Sequence, residues 1–267
     1  MIRIIIFCFV FLFYILPNLE AQILDLTPFI SFPVSSVSIN DVSDNPAKLM
    51  NIERNSIATS YSPSVFGLNE LSNHSLIASF KHDSLVHFMN INGIFQQLYS
   101  YTSFGYGITY RIFDNFTPSL LLNYNSLRIR DYNSLSNFTF DIGGILELNK
   151  GFNFGFSVTN IFNSSLEERN DIKKQTARFG LEYELYDDFK VQLGTEVRIE
   201  NSSGVLISFI KEIDSLGIAA ISYASEPQMI QLDINLNTID DFFLLYLLNY
   251  HNYLGVSHNF GVGYSFD

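Results

Sequence analysis

Tryptophan is absent from the 267 residues, and cysteine occurs once, at Cys8. Cys8 lies in an apolar run at the N-terminus. The rest of the chain therefore has no disulfide, no thiolate metal site and no cysteine nucleophile. Charge is scarce: 16% of residues are Asp, Glu, Lys or Arg, against about 25% in an ordinary soluble domain. Lys and Arg number 15 against 27 acidic residues. That balance excludes nucleic acid as a partner, because such a partner needs clustered positive charge. No apolar stretch after residue 21 is long enough for a transmembrane helix. The densest, Phe242 to Leu248, has only a strand's length. No Gly-x-Ser-x-Gly elbow or phosphate loop occurs. The five histidines, His74, His82, His87, His251 and His258, have no close partner at metal-ligand spacing. No metal, cofactor or enzymatic activity is expected. A barrel enzyme would need Ser, His and a carboxylate gathered at one rim, and Ser257-His258 only imitates part of that, at an outward position.

What is present starts with a leader. Met1-Ile2-Arg3 supplies one positive charge, Ile4 to Leu16 is unbroken apolar sequence, and Leu19-Glu20-Ala21 ends in a small residue. The run is short for a membrane span and reads as a signal peptide over residues 1–21. Cleavage would expose Gln22, not the cysteine of a lipoprotein. Phe (26) and Tyr (15) are abundant. A secreted, aromatic-rich chain with no second spanning helix is either a soluble all-β protein or a transmembrane barrel.

Periodicity separates the two. Ile230, Leu232, Ile234 and Leu236 alternate with Gln231, Asp233, Asn235 and Asn237. Strand side chains point alternately to opposite faces, so one face is apolar and the other polar. The same pattern holds over Tyr106–Ile112, Phe138–Asn149, Arg178–Leu185 and Lys190–Ile199. Turn residues recur about every ten to thirteen positions, which suits tilted membrane strands better than the shorter strands of a sandwich. The pattern predicts a closed antiparallel transmembrane β-barrel of about 14 strands (12 to 14) over residues 56–267, in the outer membrane. Tyr99, Tyr101, Phe113, Phe116, Phe152 and Tyr186, near strand ends, are expected in interfacial girdles. Residues 22–55 alternate poorly. They are expected to form either a plug-like segment in the lumen, with a short helix over Asp41–Met50, or a periplasmic tail.

The polar faces carry Arg111, Asp141, Glu147, Arg178, Glu182, Glu184, Lys190, Glu196, Arg198 and Asp233. These are expected to line the lumen, either as a selectivity surface or as a salt-bridge network; the mixed signs favour pairing. Between Arg178–Glu184 and Lys190–Arg198 the parity demands an odd-length loop. A three-residue loop pairs Leu185 with Phe189 and sets Arg178 opposite Glu196, Glu182 opposite Gln192 and Glu184 opposite Lys190. At the C-terminus, Asn259, Gly261, Tyr264 and Phe266 resemble the signal read by the barrel-assembly machinery, except that Asp267 follows the terminal aromatic.

One stretch resembles a known family. Asp141-Ile142-Gly143, Lys150-Gly151-Phe152-Asn153-Phe154-Gly155 and Val158-Thr159-Asn160-Ile161 form a hairpin similar to that of PorV/PorQ outer-membrane proteins of Bacteroidota, relatives of the FadL transporters. Asn45-Pro46-Ala47, after Asp44, resembles the Asn-Pro-Ala element before their first strand. The usual Ala- and Gly-rich stretch ahead of it is replaced here by Ser31 to Asp44. The resemblance implies a fourteen-stranded barrel with its N-terminal segment in or near the lumen. It further implies either an accessory role in type IX protein secretion, with a secretion complex or exported proteins as partners, or passage of small hydrophobic molecules. The chain is shorter than typical members, so its extracellular loops are expected to be short.

Overall fold

In the computed structural model, the described residues are 29–51, 54–132, 134–165, 175–198, 203–239 and 241–267. The leader and the start at Gln22 lie outside them. Alternation over long segments produces fourteen strands: β1 (Asn55–Ser62), β2 (Asn73–His82), β3 (Leu85–Phe95), β4 (Tyr99–Tyr110), β5 (Phe116–Ile129), β6 (Leu135–Asn149), β7 (Phe152–Ser165), β8 (Thr176–Tyr186), β9 (Phe189–Arg198), β10 (Ser203–Ile213), β11 (Gly217–Ser225), β12 (Gln228–Asn237), β13 (Phe242–His251) and β14 (Gly255–Phe266). Each pairs antiparallel with its sequence neighbours, and β1 pairs β14 from Asn55↔Phe266 to Tyr61↔Phe260, which closes the barrel. Closure leaves no strand edge unpaired, the condition for a sheet to stand in lipid.

The two ends of the barrel differ. At the end holding Asn55 and Phe266, β2–β3, β6–β7 and β8–β9 are joined by pairs of residues. The opposite end carries the longer β1–β2 and β7–β8 connections. Short turns mark the periplasmic side, so that end is periplasmic. The outer wall exposes Phe104, Tyr106, Leu120, Leu122, Tyr124, Phe138, Leu181, Ile230, Leu244 and Phe260. Ile230, Leu232, Ile234 and Leu236 share this outer face, while Gln231 and Asp233 are buried inside. Polar atoms on the outer wall satisfy one another: His87 Nδ1 lies 2.7 Å from the Tyr106 hydroxyl, and His258 Nδ1 lies 3.0 Å from that of Tyr246. His258 is thus a partner of an outward tyrosine on the wall.

Three expectations are corrected. β8 and β9 pair in the expected register, with Arg178↔Glu196, Glu182↔Gln192 and Glu184↔Lys190. The connection, however, is the two-residue turn Asp187-Asp188, with Tyr186↔Phe189 and an irregularity between Glu184 and Tyr186. Leu185 is the extra residue. A bulge changes parity by one position, so it solves the face mismatch that a longer loop would otherwise solve. Tyr101 is not in the outer girdle: it shares the inner face with Ser103, and its hydroxyl donates to Asn125 Oδ1 at 2.9 Å. In place of one helix over Asp41–Met50 there are two short 3-10 helices, Ile39–Val42 and Pro46–Asn51. Pro46 has no N–H to continue a helix through it, but it is well placed at a helix start.

Candidate lumen site

Residues 29–51 lie against the inner wall, and the Asn-Pro-Ala element shows how. Asn45 is fully buried. Its Oδ1 accepts the Ala47 N–H at 3.2 Å, capping the second 3-10 helix. The same oxygen accepts Ser119 Oγ of β5 at 2.9 Å. Its Nδ2 donates to the Pro33 carbonyl at 2.6 Å and to that of Phe156 on β7 at 3.2 Å. One amide therefore holds two points of the inner segment to two strands.

Glycines on the inner face make this approach possible. A Cβ at Gly143 would stand 2.7 Å from Asn45 Cγ, and one at Gly155 would stand 2.6 Å from the Pro33 carbonyl carbon. Gly107 faces Pro46, and Gly180 faces Pro33 and Val34. Apolar side chains complete the seat. Ile39, Val42, Leu49 and Met50 pack with Phe88, Leu121 and Leu245 of the wall, and Ile30 and Phe32 pack with Leu206, Ala224 and Met229. Each such burial contributes about 1.5–3 kcal/mol.

A charge network joins the same partners. Lys48, whose side chain has no exposure, lies 3.1 Å from Asp44 Oδ1 and donates to Ser31 Oγ at 3.1 Å. Asp44 Oδ2 is 3.6 Å from Arg178 Nη1, Arg178 Nε is 2.5 Å from Glu196 Oε2, and Arg198 Nη2 is 2.6 Å from Glu196 Oε1. Beside it, Glu182 accepts Asn153 Nδ2 at 3.1 Å, Gln192 Nε2 at 2.8 Å and the Ser35 hydroxyl. Asp141 accepts Asn123 Nδ2 at 2.8 Å and the Asn160 N–H at 2.6 Å, where a positive φ and a register shift bend β7. Asp233 is buried on the inner face of β12. Lys190 pairs with Glu212 of β10 at 2.7 Å, although Glu184 stands opposite it in the ladder.

Arg111, Glu147 and Glu184 lie lower. With Asp114, Lys150 and Asn153 they line a polar cavity of about 250 Å³ at the periplasmic mouth, closed above by Val34, Ala47 and Met50. A second cavity, of about 180 Å³, opens on the extracellular side. Its lining is mixed: Ile30, Phe66, Leu206, Ala224, Met229 and Leu254 are apolar, and Ser31, Arg178, Glu196, Arg198, Glu226 and His251 are polar or charged. Phe66 comes from the β1–β2 connection, where its N–H donates to Ser257 Oγ at 2.7 Å and its ring meets His251 edge-on.

The C-terminal residues divide by face. Asn259 points inward and donates to Ser60 and Ser62 Oγ at 3.3 and 2.9 Å. A Cβ at Gly261 would be 3.0 Å from the Thr59 carbonyl oxygen. Tyr264 and Phe266 point outward, against Phe242 and Phe80. Among the described residues no group of three or more His, Cys, Asp or Glu side chains could hold a metal.

No protein-family model matches the sequence, and no curated protein matches it significantly. Solved structures do match. A monoaromatic hydrocarbon channel TodX with its deltaS2 mutation superposes with a TM-score of 0.64 at 9% identity, covering 91% of this chain and 99% of that one. The Pseudomonas putida toluene transporter TodX gives 0.59 at 10% identity, covering 88% and 95%. A KdgM porin gives 0.47 at 11% identity, covering 79% and 99%. The two TodX likenesses show the fold. A closed fourteen-stranded barrel with an apolar outer belt places the chain in the bacterial outer membrane. The neighbours named here are channels and porins, and none of them is named as a component of protein secretion.

Proposed function

We propose that this outer-membrane barrel is a gated channel for small hydrophobic molecules, with the extracellular cavity as the site of entry. The observation that carries this reading is the apolar cluster of Ile30, Phe32, Leu206, Ala224 and Met229, four of which line the extracellular cavity. Leu206, Ala224 and Met229 sit at inner-face positions, where a water-filled pore would carry polar residues. A cavity near 180 Å³ has room for a single-ring molecule, since a pocket of about 150 Å³ holds benzene. TodX, which shares the fold, is named as a channel for monoaromatic hydrocarbons. Phe29, Ile30 and Ser31 line this cavity, and the segment 29–51 that they begin acts as the gate. The test is uptake of toluene by cells that make the intact protein or its Leu206→Asp variant at equal outer-membrane levels. Uptake should rise with the intact protein and fall to the barrel-free level with the variant. Equal uptake by both would remove the cavity from the route.

A second reading, an accessory barrel for exported proteins of the type IX system, draws on the charge network. Lys48, Asp44, Arg178 and Glu196 tie the inner segment to the adjacent strands β8 and β9, as suits a plugged scaffold. Co-purification of a large complex from outer membranes would favour it, and a lone barrel would favour the channel.

A further inference from the structure

The apolar wall of the extracellular cavity ends in an imidazole. Leu206, Ala224, Met229 and His251 occupy one register row across β10, β11, β12 and β13. All four are buried on the inner face, and all four line the cavity. Side chains directly opposite one another on one face lie in contact range, so the histidine continues the surface that Leu206 begins.

The turn after β13 fixes the tautomer of that ring. His251 Nδ1 accepts the Tyr253 N–H at 3.1 Å and the Leu254 N–H at 3.2 Å. A ring nitrogen that accepts carries no proton, so the proton of the neutral imidazole sits on Nε2 and makes it a donor. The two bonds turn Nδ1 toward residues 253 and 254 and leave Nε2 on the opposite edge of the ring. Among the described residues no hydrogen bond reaches Nε2. The ring's neighbour is Phe66, with centroids 5.4 Å apart and planes at 71°. An aromatic face is only a weak acceptor. The cavity that His251 lines is open on the extracellular side, and it is the space from which a stronger acceptor can reach the donor.

We propose that the cavity takes single-ring molecules bearing one neutral oxygen acceptor, such as aromatic ketones, and that the His251 Nε2–H recognises the oxygen. The proposal rests on the channel reading and narrows its substrate class. The ring of such a molecule packs on Leu206, Ala224 and Met229 while its carbonyl accepts from Nε2. A pure hydrocarbon fills the same space but leaves the donor unpaired, which is unfavourable in a buried site. A carboxylate gains nothing further. Arg178 and Arg198 already hold Glu196 at 2.5 and 2.6 Å, Arg178 also lies 3.6 Å from Asp44, and Glu226 adds negative charge to the same cavity.

The test is saturable binding of acetophenone and of ethylbenzene, which differ by a carbonyl in place of a methylene, to the full-length processed barrel in detergent. Leu206→Asp should abolish both. His251→Phe should weaken acetophenone by roughly five- to tenfold, the worth of one hydrogen bond, and leave ethylbenzene unchanged or tighter. His251→Asn keeps an acceptor for the turn and a shorter donor, and should retain part of the preference. Heat-modifiable gel migration checks that each variant folds. The carbonyl stretch of bound acetophenone should lie at lower wavenumber in the intact protein than in His251→Phe, which a merely structural histidine would not produce. Saturable ethylbenzene binding with acetophenone indifferent to His251 would overturn this proposal and leave the channel reading standing. Absence of saturable binding by either compound would overturn both.

Discussion

Arg178 on β8 stands opposite Glu196 on β9 and donates to it at 2.5 Å, while its other guanidinium face lies 3.6 Å from Asp44 of the inner segment. One side chain therefore joins the barrel wall to the inner segment. Arg178→Met keeps the bulk and removes the charge. Breaking a buried pair costs about 3–5 kcal/mol, and the lower end applies because Arg198 still neutralises Glu196. The variant should fold as a barrel but cleave faster with trypsin at Lys48, and its conductance in planar bilayers should rise. Unchanged cleavage and conductance would show that the segment is held without Arg178.

Steric seating gives an independent handle on the same segment. A Cβ at Gly155 would fall against the Pro33 carbonyl, a backbone group with little freedom to move. Gly155→Leu should displace residues 29–51 without disturbing the outer wall. Faster cleavage at Lys48 with normal heat-modifiable migration is expected, and slow cleavage would place the contact elsewhere.

The outer wall is tested at Ile234. It stands on the lipid face of β12, between Ala219 of β11 and Tyr246 of β13. An arginine near the bilayer midplane costs about 2–4 kcal/mol. Ile234→Arg should lower outer-membrane levels and shift protein to a protease-sensitive periplasmic pool. Normal assembly would argue against a lipid-facing β12.

At the periplasmic rim, hydrogen bonding to Arg54 holds the Asp241 carboxyl below the usual carboxylate range, and hydrogen bonding to Lys211 does the same for Asp188. A depressed carboxyl adds stability above its unfolded pKa and loses it as pH falls through the folded one. The loss therefore belongs below about pH 4. Amide exchange at the β8–β9 and β12–β13 turns should quicken between about pH 4 and 2, with no change from these groups between about pH 6 and 8. Asp241→Asn and Asp188→Asn should flatten the response, and a flat response in the unaltered protein would contradict it.

The outer face was legible because lipid imposes one simple rule: every second residue is apolar. β12 obeys it from Ile230 to Leu236, so its faces follow from sequence alone. The inner face answers to a partner that periodicity does not contain. β13 reads ambiguously because inner Phe243 and Leu245 pack on the inner segment while Leu244 and Tyr246 face lipid, which makes both faces apolar. Loss of alternation was thus itself a sign of lumen contact, as at Leu206 and Ile210 of β10. The Arg178–Glu196 and Glu182–Gln192 pairs followed from register, but their partners in the inner segment did not. Asp44, Lys48 and Ser35 belong to a segment with no regular period, and only folding brings them to Arg178 and Glu182. Gly143, Gly180 and Gly107 showed as breaks in the polar face, though nothing local said what filled the space.

The most direct test of a hydrophobic entry site uses the absence of tryptophan. Phe66→Trp places a single indole on the wall of the extracellular cavity. Titrating this variant with toluene should give a saturable change in emission, and adding Leu206→Asp should abolish it. A linear, non-saturating change that survives Leu206→Asp would report partition into detergent or lipid and would contradict the account.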